Sequence, residues 1–165
     1  VRLFSGSVRD NISRMQEADD AAVVSAAKYA GSHEMILGLP SGYNTEVTHF
    51  GLSGGQQQRI ALARAFFGAP CFIVLDEPNS NLDEEGSQAL MRAIRTSKDR
   101  GMTIVIVTHQ PVFLQVVDKI AVIGEGSLKA YGPRDKVLEH LQQMQAKQQV
   151  VPTQQQPSSQ QTTEE

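Results

Sequence analysis

The stretch LSGGQQQR at residues 52–59 decides the fold, because a serine and two glycines stand directly before a helical pattern. Ser53 is a favoured N-cap residue. Gln56, three positions later, completes a capping box in which each residue satisfies an amide of the other. Apolar residues then recur at helical spacing until Gly68 and Pro70 end the run. The sequence therefore predicts a helix that begins in a glycine-rich loop.

A helix that begins in this way can bind an anion at its first turn. Its first amides have no intrahelical acceptor, and the helix dipole adds partial positive charge at the same end. Taken alone, Ser53, Gly54, Gly55 and Gln56 are more typical of a capped helix in an ordinary globular domain. The rest of the chain must decide between the two interpretations.

Composition excludes several classes of protein. The chain has 165 residues, of which 40% are hydrophobic and 20% charged, as in a folded domain. Its net charge of −3 and its lack of a lysine or arginine block give no electrostatic footprint for nucleic acid. The single cysteine, Cys71, excludes an internal disulfide, and its apolar neighbours predict a buried thiol. No apolar run approaches the roughly 20 residues of a membrane helix. Because the chain opens at Val1 inside a structured pattern, we expect a piece of a longer protein.

The pattern of elements predicts the α/β class. After a short apolar strand at residues 1–4, the first third is helical, with Val8, Ile12 and Met15 on one face of its first helix. Two continuous apolar runs, at residues 71–75 and 103–108, are typical of parallel strands buried on both faces, and a helix separates them.

The last part of the chain predicts a hairpin and a helix. A third strand at residues 119–123 is followed by a turn and a return strand at 128–131. Gly132 and Pro133 open the final helix, with Pro133 in its first turn and an apolar face that ends at Met144.

Polar residues follow the two apolar strands. Asp76 and Glu77 come directly after the first one, where open α/β sheets bind ligands, although two acids there also fit a solvated turn. The aspartate can hold Mg²⁺ and the glutamate can act as a general base. Asp83 fits a helix N-cap, and His109 ends the second strand, where a lone histidine is more often a hydrogen-bonded structural residue. The lack of clustered histidines and of a second cysteine argues against a zinc site.

Four motifs, in this order, resemble the ATPase domain of ABC transporters. LSGGQ at residues 52–56 matches the signature motif of that family, and FIVLDE at 72–77 matches its Walker B strand. SNLD at 80–83 matches the D-loop, and VTH at 107–109 matches the switch histidine. Together they favour the functional interpretation of each residue over the structural one.

The resemblance implies a partial P-loop NTPase fold over residues 1–147. We expect a helical subdomain at about 5–67 and an α/β core with a parallel sheet at about 68–147. Residues 148–165 are rich in Gln, Pro, Ser and Thr, and this composition predicts a disordered tail.

The flanking segments narrow the resemblance to exporters. LFSGSVRDNI at residues 3–12 and YNTEV at 43–47 are similar to exporter segments. LDEPNSNLDEEG at 75–86 resembles the type I secretion proteins that export proteases and lipases.

Two features depart from the family. THFG at 48–51 replaces a glycine-acidic-glycine stretch and makes the segment about two residues short, which bears on the contact with the membrane domain. The Gly-Lys pair of a P-loop occurs nowhere in the chain.

The family resemblance also implies a mechanism. Two such domains bind head to tail with two ATP molecules between them. Ser53, Gly54, Gly55 and Gln56 face the γ-phosphate of the partner's ATP, and Asp83 crosses the interface.

Three further residues act on the chain's own ATP in this scheme. Asp76 holds Mg²⁺, Glu77 orients the attacking water, and His109 contacts the γ-phosphate. ATP and Mg²⁺ are therefore the implied cofactors.

The resemblance places the parent protein at the cytoplasmic face of the bacterial inner membrane, as the ATPase of a type I protein exporter. Its implied partners are a second ATPase subunit, a transmembrane domain of the same chain, a periplasmic adaptor, an outer-membrane channel and the exported protein. For the 165 residues alone we expect negligible ATPase activity and poor solubility. Two alternatives stay open: a soluble ABC ATPase of DNA repair or chromosome structure, and a non-catalytic interaction domain.

Overall fold

The structure is a computed structural model that describes residues 2–48 and 51–149. Its contacts divide the chain into two compact units, Val1–Val116 and Val117–Glu165. Within the described ranges, no helix combines the length and the apolar character that crossing a bilayer requires.

The first half of the first unit is helical, as predicted. Its helices are α1 (Val8–Ile12), α2 (Asp20–Tyr29), α3 (His33–Leu37) and α4 (Gly54–Phe66), with a 3-10 turn at Gly42–Asn44. Helix α1 starts at a capping box between Ser7 and Asp10. The prediction that Met15 continues its face is wrong, because Met15 takes a left-handed backbone (φ 61°) and is exposed. The predicted first strand is also wrong, since residues 2–4 form no strand.

Helix α4 forms the centre of this helical part. It packs against both α1 and α2, and its buried stripe contains Ile60, Leu62, Ala63 and Phe66. The predicted helical spacing is therefore confirmed, and burial of these side chains anchors the helix whose first turn carries the glycines.

Two parallel strands complete the first unit's sheet. β1 (Phe72–Asp76) pairs with β2 (Thr103–Val107), and Val74 lies opposite Val105. Only one face of β1 is buried, because Ile73 and Leu75 join the hydrophobic core while Val74 is 56% exposed. The prediction of burial on both faces is wrong for these strands: in the described part of the chain, the core covers one side of the pair.

Cys71 is exposed, so the prediction of a buried thiol is wrong. It lies just before β1 begins and borders a surface cleft together with Tyr29 and Arg100. Cys71 has apolar sequence neighbours but lies outside the strand, and these neighbours do not bury it.

Helix α5 (Glu84–Asp99) connects the two strands. Its buried side includes Leu90, Ala93, Ile94 and Ser97, and the helix itself confirms the predicted element between the strands. A 3-10 turn at Pro111–Gln115 follows β2.

The second unit contains a hairpin and a helix. β3 (Lys119–Gly124) pairs antiparallel with β4 (Ser127–Pro133), and α6 (Arg134–Gln149) follows. Glu125 and Gly126 form the hairpin turn with positive φ values of 51° and 71°, a backbone that matches the twist of the strands. The hairpin is thus confirmed.

Two details of the second unit differ from prediction. Pro133 is the last residue of β4, opposite Lys119, and so does not lie in the first turn of the helix. Val137 is buried on α6, but Met144 is 48% exposed, so the buried face ends earlier than predicted. The helix includes residues 148 and 149 of the predicted tail, and residues 150–165 lie outside the described range.

Candidate functional site

The glycine-rich turn has the predicted capping box. The Ser53 hydroxyl accepts a hydrogen bond from the Gln56 amide at 3.2 Å, and the Gln56 side chain accepts one from the Ser53 amide at 2.9 Å. Helix geometry leaves the amides of Gly54 and Gly55 without intrahelical acceptors. Ser53 and Gly54 are exposed, so this turn can present amides and a positive helix end to an anion.

A neighbouring loop explains why the second glycine has no side chain. A Cβ atom added to Gly55 would lie 2.7 Å from the carbonyl oxygen of Asn81, whereas one added to Gly54 would lie 3.6 Å from the nearest atom of the same residue. Gly55 therefore allows the loop after β1 to approach the start of α4 through its backbone.

Glu77 and His109 meet at the carboxyl ends of the two parallel strands. The Glu77 carboxylate lies 2.9 Å from His109 Nδ1 and accepts a hydrogen bond from the His109 amide at 3.2 Å. A longer bond of 3.4 Å links it to the Thr108 hydroxyl. The two side chains predicted to be catalytic are thus brought together in one site.

The backbone at Glu77 is unusual for a residue with a side chain. Its φ of 43° lies in the left-handed region, which costs energy unless neighbouring groups determine it. Its amide donates to the Val107 carbonyl at 2.8 Å, and its carbonyl accepts from Gln58 Nε2 at 3.0 Å. Strand β2 and helix α4 therefore hold the two sides of this residue.

Asp76 is the last residue of β1, and its side chain is exposed. It borders a cleft of about 540 Å³ whose wall also includes Gln58 and Val74. No group of three or more potential metal-binding His, Cys, Asp or Glu side chains occurs among the described residues. Because Mg²⁺ is usually held by one or two carboxylates together with phosphates and water, a single accessible aspartate fits that ion.

Asp83 is the N-cap of α5, as the structural interpretation predicts. Its carboxylate accepts a hydrogen bond from the Gly86 amide at 2.8 Å and pairs with the guanidinium of Arg59. The Gly86 amide, followed by the Arg59 side chain, lowers the pKa of Asp83 below its ordinary value. This ion pair connects the start of α5 with the glycine-led helix α4.

Gln58 is a site residue that sequence reasoning missed. Its side chain is only 1% exposed, and it bonds to Glu77, Ser80 and Asn81. The sequence does contain a signal for this burial, because Gln58 stands one helical turn before Leu62 on the apolar stripe of α4. A polar residue in that phase is buried and needs partners.

At residues 48–51, where the sequence departs from the family's glycine-acidic-glycine stretch, the structure describes only the two end residues. His49 and Phe50 lie outside the described residues, so the length of that segment remains a prediction.

The sequence of this chain is similar to those of known proteins. The ABC transporter family model matches residues 2–80. The type I secretion system ATP-binding protein PrsD of Rhizobium meliloti is 49% identical over 141 residues, which are 84% of this chain and 24% of that protein. The cyclolysin secretion/processing ATP-binding protein CyaB of Bordetella pertussis is 40% identical over 82% of this chain and 19% of its own length. The chain therefore spans less than a quarter of these curated relatives.

A solved structure shows the same fold. The structure of a bacterial Atm1-family ABC exporter with ATP bound matches 90% of this chain and 27% of its own, with 30% identity and a TM-score of 0.76. The predicted family and α/β fold class are confirmed. These relatives favour an exporter over a soluble ATPase of DNA repair.

Proposed function

This chain belongs to the ABC transporter family, and on that premise we propose that it is the ATP-hydrolysing part of a type I protein exporter. The observation that carries the proposal is the contact between Glu77 and His109 at the carboxyl ends of two parallel strands. Open α/β sheets bind their ligands at this edge. The relatives PrsD and CyaB, both named as secretion ATP-binding proteins, support protein export as the process.

The proposed reaction is hydrolysis of ATP. A water oxygen attacks the γ-phosphorus, the bond to the ADP oxygen breaks, and the products are ADP and inorganic phosphate. Glu77 orients this water and takes up its proton, while His109 positions the glutamate and contacts the γ-phosphate.

Asp76 is the residue that would hold Mg²⁺, which neutralises phosphate charge in reactions of this class. In this proposal, Ser53, Gly54, Gly55 and Gln56 serve the ATP of a second subunit, as the head-to-tail arrangement of the family implies. Asp83 lies at the same interface, next to that turn through Arg59.

The proposed partners follow from this assignment. They are a second ATPase subunit, a transmembrane domain of the same parent chain, a periplasmic adaptor, an outer-membrane channel and the exported protein. The proposed location is the cytoplasmic face of the bacterial inner membrane. We also propose that the 165 residues alone have negligible ATPase activity, because no Gly-Lys pair for a P-loop occurs in them.

The export function is tested by deleting the parent gene and comparing the secreted proteins in the culture medium. Complementation with the full-length gene is expected to restore the missing secreted protein, and complementation with Glu77→Gln is expected not to. Unchanged secretion after deletion would refute the exporter assignment.

A further inference from the structure

Gln58 is a buried side chain with every polar atom engaged. Its Nε2 donates to the Glu77 carbonyl at 3.0 Å. Its Oε1 accepts from Asn81 Nδ2 at 3.0 Å and from the Ser80 hydroxyl at 3.3 Å. The carbonyl of Glu77 can only accept, so it fixes which end of the amide faces it. Gln58 is thus held in one orientation by three partners.

The bond to Glu77 acts on a backbone that needs external support. Glu77 has a left-handed φ of 43°, and its amide is already bonded to β2. The Gln58 amide holds the carbonyl on the other side of the same residue, so rotation of that peptide breaks the bond. The direction of the Glu77 carboxylate depends on this backbone.

The bond to Asn81 acts on the glycine-rich turn. The Asn81 carbonyl lies against Gly55, where a Cβ atom would stand only 2.7 Å away. A shift of the Asn81 loop would therefore open or block the first turn of α4. Gln58 connects this loop with Glu77 through one side chain.

We propose that Gln58 is a positioning residue for ATP hydrolysis, which holds the Glu77 backbone in a fixed relation to the glycine-rich turn of α4. This inference rests on the proposed function, in which Glu77 acts on one ATP and the turn acts on the ATP of the other site. Each chain contributes Glu77 to one ATP site and the glycine-rich turn to the other. Gln58 then couples these two sites through its own chain, without contacting either nucleotide.

The test uses the full-length protein and compares Gln58→Glu with Gln57→Glu. Both changes add one negative charge to α4, but among the described residues the Gln57 side chain bonds to the local Leu52 carbonyl and to no part of the Glu77 site. We expect Gln58→Glu to lower kcat for ATP hydrolysis at least tenfold with KM for ATP within twofold, and Gln57→Glu to leave both nearly unchanged. Because a buried carboxylate can itself unfold a domain, Gln58→Met serves as a neutral second variant of similar volume.

A purely structural role gives a different result. It lowers the melting temperature and reduces kcat only in proportion to the folded fraction, whereas a positioning role lowers kcat in folded protein that still binds ATP. In a Glu77→Gln background, Gln58→Met is expected to cause no further loss, because its effect passes through Glu77.

The outcomes separate this inference from the proposed function. Normal kcat in folded Gln58→Met, or equal further loss in the Glu77→Gln background, overturns the positioning role. If Glu77→Gln itself hydrolyses ATP at the parental rate, the proposed function fails as well.

Discussion

His109 Nδ1 lies 2.9 Å from Oε1 of Glu77 and joins the carboxyl ends of two neighbouring strands. His109 is 82% exposed at its side chain, whereas Glu77 is 35% exposed, so the histidine forms the outer part of the pair. An outer imidazole is accessible to a phosphate, and the glutamate behind it is held in place.

Replacing this histidine is expected to slow hydrolysis. In His109→Ala, the Glu77 carboxylate loses its imidazole partner and, under the proposed function, the γ-phosphate loses a contact, so kcat of the full-length protein should fall by about 100-fold or more. His140→Ala, an exposed position on α6, is the matched control and should leave kcat unchanged. Equal rates in the two variants would remove His109 from the mechanism.

The two glycines of the turn should differ in their tolerance of alanine. Gly55→Ala places a methyl group 2.7 Å from the Asn81 carbonyl and is expected to reduce the free energy of unfolding by about 1–3 kcal/mol. Gly54→Ala makes only ordinary contacts at 3.6 Å and should change it by about 0.5 kcal/mol or less. Denaturant unfolding of the full-length protein measures both. The opposite ranking would mean that the loop does not press on Gly55.

The N-cap of α5 should make stability depend on pH. The Gly86 amide and the Arg59 guanidinium lower the pKa of Asp83, so the folded state binds its proton more weakly than the unfolded state. The stabilisation is therefore present above the unfolded pKa of about 3.9 and is lost as the pH falls through the lower folded value.

Asp83→Asn isolates the charge, because asparagine is also a good N-cap. The melting temperature of the full-length variant should lie below that of the parent at pH 7, and the gap should narrow towards pH 3. A gap that stays constant over this range would show that the carboxylate charge contributes nothing.

The exposed face of the β1–β2 pair should limit solubility of the 165 residues expressed alone. Val74 and Val105 lie opposite each other and are 56% and 44% exposed. Exposed apolar strands promote association, so Val74→Lys with Val105→Thr should reduce aggregation measured by light scattering. Gln88→Lys, at an exposed polar position on α5, controls for the added charge. The prediction fails if the control improves solubility equally, or if the unaltered chain is monomeric with a sharp cooperative melt.

Much of the fold followed from local patterns. The capping box at Ser53 and the N-cap at Asp83 depend only on nearby residues, so they were predictable. The meeting of Glu77 with His109 also follows from sequence, since Glu77 directly follows β1, His109 lies two residues after β2, and parallel strands end at the same edge.

The errors concern properties that tertiary neighbours determine. The apolar runs predicted strands, but they did not predict that the core would cover one face of β1 and leave Val74 exposed on the other. Pro133 suits a strand end as well as a first helical turn, and its pairing with Lys119 decides between them. The partners of Gln58 and the left-handed backbone of Glu77 depend on contacts between α4 and the loop after β1, which propensity and spacing do not describe.

The central claim is that Glu77 activates the water that hydrolyses ATP. The most direct measurement compares ATP turnover and retained nucleotide in purified full-length protein carrying Glu77→Gln or Glu85→Gln, the latter an exposed position on α5. We predict that Glu77→Gln lowers turnover by about 100-fold or more and leaves unhydrolysed ATP bound, while Glu85→Gln behaves as the parent does. Turnover by Glu77→Gln at the parental rate would contradict the account.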